Sequence, residues 1–177
     1  MITIDPPSTL PIPTEIALSK SALTRFLNRA RRLIELPGEV SVLLTNDAEL
    51  KRLNRTFRGK NKPTDVLSFP APPEVAHIHA GDLAVSLDTA ARQAALFGHS
   101  LRDELRILLL HGLLHLSGLD HETDHGEMAA READLRASLK LPATLIARAA
   151  SPQSATTPKK RAKGPIHTSQ QPPRLAP

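Results

Sequence analysis

The 177-residue chain has no cysteine, which excludes disulfides and thiolate metal ligands and fits a reducing cytosol. Long apolar runs are missing as well. The longest, Ile107 to Leu116, is broken by two histidines and falls well short of the ~20 residues a membrane span needs. No N-terminal apolar stretch resembles a signal peptide. These absences predict a soluble, cytoplasmic protein with no membrane partner.

Acid is lacking in two places. Residues 151–177 hold Lys159, Lys160, Arg161, Lys163 and Arg174 but no Asp or Glu. That segment carries the whole net charge of +5, so residues 1–150 balance at 18 basic and 18 acidic side chains. It is rich in Pro, Ser, Thr and Gln and has no periodic apolar residues. The expectation is a disordered basic tail, 151–177, after a single domain over 1–150. The tail either brushes RNA nonspecifically or is a solvated extension. The second acid-free stretch runs from Lys51 to Lys62 and holds Lys51, Arg52, Arg55, Arg58, Lys60 and Lys62. It reads either as a patch that attracts a polyanion or as a solvated helix face.

What the chain does have is the run HGLLHLSGLDH, with His111, His115 and His121 spaced H-x3-H-x5-H. On a helix, side chains four apart share a face with Cβ atoms about 5–6 Å apart. Two such imidazoles can hold one zinc ion at about 2.0–2.1 Å from each nitrogen. Gly118 can take a left-handed conformation, end the helix and turn the chain so that His121 becomes the third ligand. Three protein ligands leave a tetrahedral ion one open position, which suits catalysis better than structure. Zinc peptidases use the same spacing with a glutamate as general base, H-E-x-x-H-x-x-G-x-x-H. Here Gly112 stands in the glutamate's place, so the peptidase reading loses its base while the metal site survives. Histidine ligands suit zinc, copper, iron and nickel better than magnesium.

Local patterning predicts an edge strand over Ile2–Ile4 and a helix capped by Ser19 or Ser21 that runs to about Leu36. Val40, Val42 and Leu44 alternate as a strand. Asn46 or Asp47 caps a second helix through Phe57, with Leu50, Leu53, Asn54 and Phe57 on its inner face. Gly59 and Pro63 make 58–64 a loop. Strands over 65–69 and 82–87 flank a proline-rich loop. Asp88 is expected to cap a helix to about Phe97. Ser100 and Asp103 form a capping box that opens the histidine helix. A last helix runs from about Glu127 to Leu139 with Met128, Ala133, Leu135 and Leu139 buried. The order predicts an α+β fold in which about five helices cover a small, mixed, four-stranded sheet. The metal site would lie at the end of a central apolar helix.

Two segments together resemble one family. HGLLHLSGLDH is similar to the metal motif of the YbeY family, the bacterial rRNA-maturation endoribonucleases. LNRTFRGKNKPTDVLSFP, residues 53–70, resembles that family's other signature, and GDLAVS its third strand region. Asn61 replaces the family's usual aspartate, and Leu119 stands where an aromatic is often found. The resemblance implies a zinc-dependent endoribonuclease directed at single-stranded RNA, acting in small-subunit rRNA end maturation and ribosome quality control. It implies one zinc ion held by His111, His115 and His121, a functional arginine at Arg58, and association with the small ribosomal subunit and the GTPase Era.

Chemically, a zinc ion held by neutral imidazoles keeps its charge and can polarise a phosphoryl oxygen or acidify bound water. Arg58 is expected to grip phosphate oxygens with its guanidinium fork. Arg55, Lys60 and Lys62 are candidate substrate-binding side chains beside it, and His111 counts as catalytic as well as ligating. Asp120 either orients an imidazole from behind or caps the turn. Asp65 either shapes the Arg58 loop or bonds to Thr64 and backbone amides. Glu122, Asp124 and His125 carry no spacing signal, and His77, His79 and His99 read as loop or cap residues. The attacking group is either metal-activated water or the RNA 2′-hydroxyl. Two other functions compete: a zinc hydrolase of the peptidase type, and a non-cleaving ribosome-assembly factor with structural zinc.

Overall fold

Alternating burial in Glu39–Thr45 places Val40, Val42 and Leu44 on one face of a strand, as period-two patterning demands. The computed structural model describes residues 1–4 and 19–142. The expected tail, 151–177, and the domain boundary near 150 lie outside the described residues.

The elements follow in the order β1 (Ile2–Ile4), α1 (Lys20–Leu33), β2 (Glu39–Thr45), α2 (Asp47–Arg58), β3 (Val66–Pro70), β4 (His79–Ser86), α3 (Leu87–Phe97), α4 (Leu101–Leu116) and α5 (Glu127–Leu139). The four strands form one sheet in the order β1-β2-β4-β3. β2 runs parallel to β1 and to β4, whereas β3 is antiparallel to β4 and forms the edge. Among the described residues the fold is the expected α+β arrangement of a mixed four-stranded sheet with five helices.

The two faces of the sheet carry different cores. Val42, Leu44, Leu83 and Val85 join the main core with residues of α1, α3, α4 and α5. The alternate positions Leu67 and Ala84 pack with Leu50 of α2 in a second, smaller cluster that Phe69 also joins. Helix α4 is the centre of the larger core. Leu105, Ile107, Leu108, Leu109, Leu110, Leu113 and Leu114 are all fully buried, as in a helix enclosed nearly all round. It packs on α1, α3, α5, β3 and β4.

Several local expectations are corrected. α1 ends at Leu33 rather than near Leu36, and Glu35 turns the chain with φ 60°. β4 begins at His79, because parallel pairing with β2 from Glu39 onward draws the end of the proline-rich loop into the sheet. Asp88 does not cap α3. The Thr89 amide donates to Ser86 Oγ at 3.1 Å, while Asp88 is buried inside the first turn and accepts from the Asp47 amide at 3.1 Å. Phe57 is 63% exposed rather than on the inner face of α2, and Ala133 is exposed where Arg136 is buried. His99 is no simple loop residue. Its Nε2 lies 2.6 Å from Glu104 Oε2, and the two side chains are only 7% and 0% exposed.

The N-termini of α2 and α3 are cross-tied. Asn46 caps α2 by accepting from the Glu49 amide at 2.9 Å. The Asp47 carboxylate accepts from Ser86 Oγ, from Thr89 Oγ1 at 2.7 Å and from Arg92 Nη2 at 2.7 Å. Burial pushes the Asp47 carboxyl up, but these three donors outweigh it and hold the group below 3.8. A carboxylate depressed in the folded state contributes stability above its unfolded value, and that contribution is lost as pH falls through the folded value. Asp47→Ala should therefore cost about 1–3 kcal/mol at neutral pH. The deficit should narrow as pH is taken below 3.8. Urea unfolding of both proteins across that range checks it, and a deficit that stays constant into acid would remove the charge from the explanation.

Candidate metal centre

The candidate metal centre is built from the end of α4 outward. Ser100 opens the helix by accepting from the Asp103 amide at 3.1 Å, as expected of the capping residue. At the far end Gly118 adopts φ 92°. The Gly118 amide donates to the His115 carbonyl at 3.0 Å and the Leu119 amide to the Leu114 carbonyl at 3.1 Å. That pair of bonds is the Schellman stop, which a glycine permits because it has no Cβ to clash. The turn then tightens on Asp120, whose carbonyl accepts from the Thr123 and Asp124 amides and whose carboxylate accepts from the Glu122 amide at 3.0 Å. Asp124 in turn accepts from the Gly126 and Met128 amides at 2.9 and 2.8 Å, tying down the start of α5. The loop is thus fixed at both ends.

This loop brings His121 back over the helix end. The ring centroids of His111, His115 and His121 lie 4.8, 5.2 and 5.1 Å apart. One ligating atom from each falls within 4.8 Å of the others, and these three form the candidate metal group among the described residues. His125 is not in that group. The Nε2 atoms of His111 and His115 stand 3.2 Å apart. Two nitrogens sharing a tetrahedral ion at about 2.0–2.1 Å would stand roughly 3.3 Å apart. The donor set fits a metal ion without rearrangement of this pair.

His111 is oriented by a residue that sequence patterning does not single out. Its Nδ1 lies 2.9 Å from Glu132 Oε2, across the interface with α5. Nδ1 donating to the carboxylate leaves the Nε2 lone pair facing the other two histidines. Glu132 is bound on its other side by Arg136. Burial pushes the Glu132 carboxyl up, yet the His111 hydrogen bond and the charges of His111 and Arg136 bring it below 4.5. His115 is pushed below 6.5, first by burial and then by His111 and His121, with Asp120 opposing. The first direction keeps Glu132 ionised behind His111, and the second keeps His115 neutral, as a metal ligand must be. The available signal for Glu132 is a carboxylate on the same helical face as Met128, Leu135 and Leu139, all buried.

Glu132→Gln keeps the shape and an acceptor for Arg136 but removes the charge behind His111. Metal affinity should fall about 10–100-fold. Competition against a chelator measures this, and an unchanged affinity would show that Glu132 merely fills space.

Gly112 has its own physical reason. A Cβ there would lie 2.8 and 3.1 Å from the two Leu83 methyls and 3.4 Å from Ser68 Oγ. Its face of α4 is pressed onto β3 and β4, where Ser68 Oγ also donates to the Gly112 carbonyl at 3.3 Å. A glutamate at this position would enter the sheet rather than the metal site.

The basic loop reaches the same place from the other side. Arg58 Nη2 lies 3.7 Å and Lys60 Nζ 3.9 Å from the Glu122 carboxylate, next to His121. Arg55 and Lys62 are exposed on α2 and the following loop. Arg55 lines a shallow depression with Ala48, Lys51, Arg52 and Asn61. Asp65 holds the far end of the loop, accepting from the Val66 amide at 2.8 Å, Thr64 Oγ1 at 3.3 Å and Gln93 Nε2 at 3.2 Å. Asp82 is exposed beside His79, with 3.2 Å between them.

Comparison with known proteins places these features. The profile of the family described as Endoribonuclease YbeY matches residues 12–140. This chain belongs to the YbeY family. It is 51% identical over 144 residues to the Endoribonuclease YbeY of Koribacter versatilis (strain Ellin345), covering 81% of this chain and 93% of that protein. It is 48% identical over 131 residues to the Endoribonuclease YbeY of Solibacter usitatus (strain Ellin6076), covering 74% and 86%. The solution structure of TM1509 from Thermotoga maritima superposes with a TM-score of 0.51 at 28% identity, covering 78% of this chain and 89% of that one. The three histidines, Arg58 and Glu132 all lie inside the span of the family match. Among the described residues no helix is long and apolar enough to cross a membrane.

Proposed function

We propose that this YbeY family member is a zinc-dependent endoribonuclease that cuts single-stranded RNA, with the ends of small-subunit rRNA as its substrate. The observation that carries the reading is the meeting of two independent elements at one turn. The histidine triad ends at His121, and Glu122 beside it is the shared ion-pair partner of Arg58 and Lys60. The name carried by the similar proteins supports the same reaction class.

Zinc held by the triad would supply Lewis acidity at a phosphodiester. The chain's own residues do the rest. Glu132 holds His111 in its tautomer, and Arg58 binds phosphate oxygens and counters the charge that develops on them. Ion pairs this exposed are worth about 0–1 kcal/mol. Arg58 and Lys60 can therefore leave Glu122 for an RNA phosphate at little cost. Arg55 and Lys62 extend the positive surface along the backbone. Peptide hydrolysis has no base at Gly112, whose side is closed by Leu83. In the cell we place the protein in the cytoplasm, on the small ribosomal subunit, with the GTPase Era as a partner in maturation and quality control.

The test is cleavage of single-stranded rRNA fragments and of the same sequences in duplex, by zinc-loaded and chelator-treated protein. Cutting confined to the single strand and to the zinc-loaded form supports the proposal. No cutting by protein that holds zinc and cosediments with the small subunit would turn the reading into a binding factor with a structural metal. Products ending in a 2′,3′-cyclic phosphate would identify the 2′-hydroxyl as the attacking group.

A further inference from the structure

The chain has no tryptophan and no tyrosine, and four phenylalanines. Phe26 is buried in the main core, and Phe97 stacks on His99 at 6.2 Å. Phe57 behaves differently. It sits in the last turn of α2 and is 63% exposed, although a ring of this size would gain by burial. It is not loose. Its ring meets that of Phe69 edge-to-face, with centroids 5.1 Å apart and planes at 69°.

Exposed basic side chains follow it in the chain. Arg58 follows it directly, and Lys60 and Lys62 lie in the loop beyond, all three exposed. Behind it, Phe69 belongs to the edge strand β3. The preceding residue, Ser68, bonds to Gly112 of the metal helix on the other side of the same strand. The aromatic pair and the α4 helix thus flank one edge strand, and Arg58, the residue after Phe57, is ion-paired to Glu122 beside His121.

We propose that Phe57 is a stacking platform for an unpaired nucleobase flanking the cleaved phosphodiester, a subsite that rests on the endoribonuclease reading above. Arg58, Lys60 and Lys62 hold the backbone while the base lies on the ring. This division of labour binds single strands with little sequence preference, because every base has a π face. A paired base cannot reach the platform without leaving its helix, so the same residue contributes selectivity for single strands.

The absence of other fluorophores makes the test direct. Phe57→Trp places one tryptophan in the zinc-loaded, full-length protein. It should bind 2′-O-methyl oligoadenylate as the wild type does, with saturable quenching of its emission. Phe57→Leu should bind that oligomer about 5–100-fold more weakly. Both proteins should bind an abasic ribose-phosphate oligomer of the same length equally. If Phe57→Leu retains wild-type affinity for oligoadenylate, the platform is refuted. A lowered Tm alongside that result would mean that Phe57 only covers Phe69. If the wild type binds neither oligomer, the RNA reading itself fails and this subsite with it.

Discussion

His111→Ala should give a folded protein that neither retains zinc nor cuts RNA. His111 contributes the nitrogen 3.2 Å from that of His115, and it alone of the triad is braced by Glu132. Its removal leaves two of the three candidate ligands, and it leaves the largely buried Glu132 carboxylate facing a gap. The rate loss should be at least the roughly 10²–10³-fold that follows removal of a single electrostatic donor. The fold should survive, because the packing of α4 rests on leucines that point elsewhere. Metal content by mass spectrometry and single-turnover cleavage of the same preparation are the measurements. A variant that holds one zinc per chain and cuts at the wild-type rate would sink the site. The variant also sets the background for contaminating ribonuclease.

Arg58→Ala should separate binding of the metal from its use. The guanidinium is not a candidate ligand, and its side chain is 47% exposed with an ion-pair distance of 3.7 Å to Glu122. Losing so exposed a pair changes stability by about 0–1 kcal/mol. Zinc content and Tm should therefore match the wild type, while single-turnover cleavage falls about 10²–10³-fold. Arg58→Lys should recover only part of the loss, since an ammonium lacks the planar fork that grips two phosphate oxygens at once. Wild-type cleavage by zinc-loaded Arg58→Ala would take Arg58 out of the mechanism and leave Lys60 as the cation nearest the His121 turn.

Legibility in the sequence followed the range of the interaction. The two histidines four apart, the glycine stop at Gly118 and the serine caps at Ser19 and Ser100 all depend on residues within one or two turns, and the structure places each of them as the spacing predicts. The apolar run through α4 likewise foretold a central helix. Errors fell where a neighbouring element intervened. Asp88 has the right chemistry for a cap, but Ser86 takes that role and Asp88 turns to the Asp47 amide of α2. Phe57 follows the apolar spacing of α2, yet the cluster around Leu50, Leu67 and Ala84 is small, and Phe57 reaches only its margin, on Phe69.

By itself the sequence determined which three histidines meet, the helix that carries two of them and the turn that returns the third, because backbone geometry ties these to fixed intervals along the chain. Tertiary structure decided everything that reaches the site from elsewhere. Glu132 meets His111 only because α5 packs on α4, 21 residues later. Arg58 and Lys60 arrive at Glu122 only because the end of α2 and the loop after it fold against the turn that follows α4. Such encounters are set by which faces the sheet buries and which edge it leaves open, and no interval in the chain encodes them.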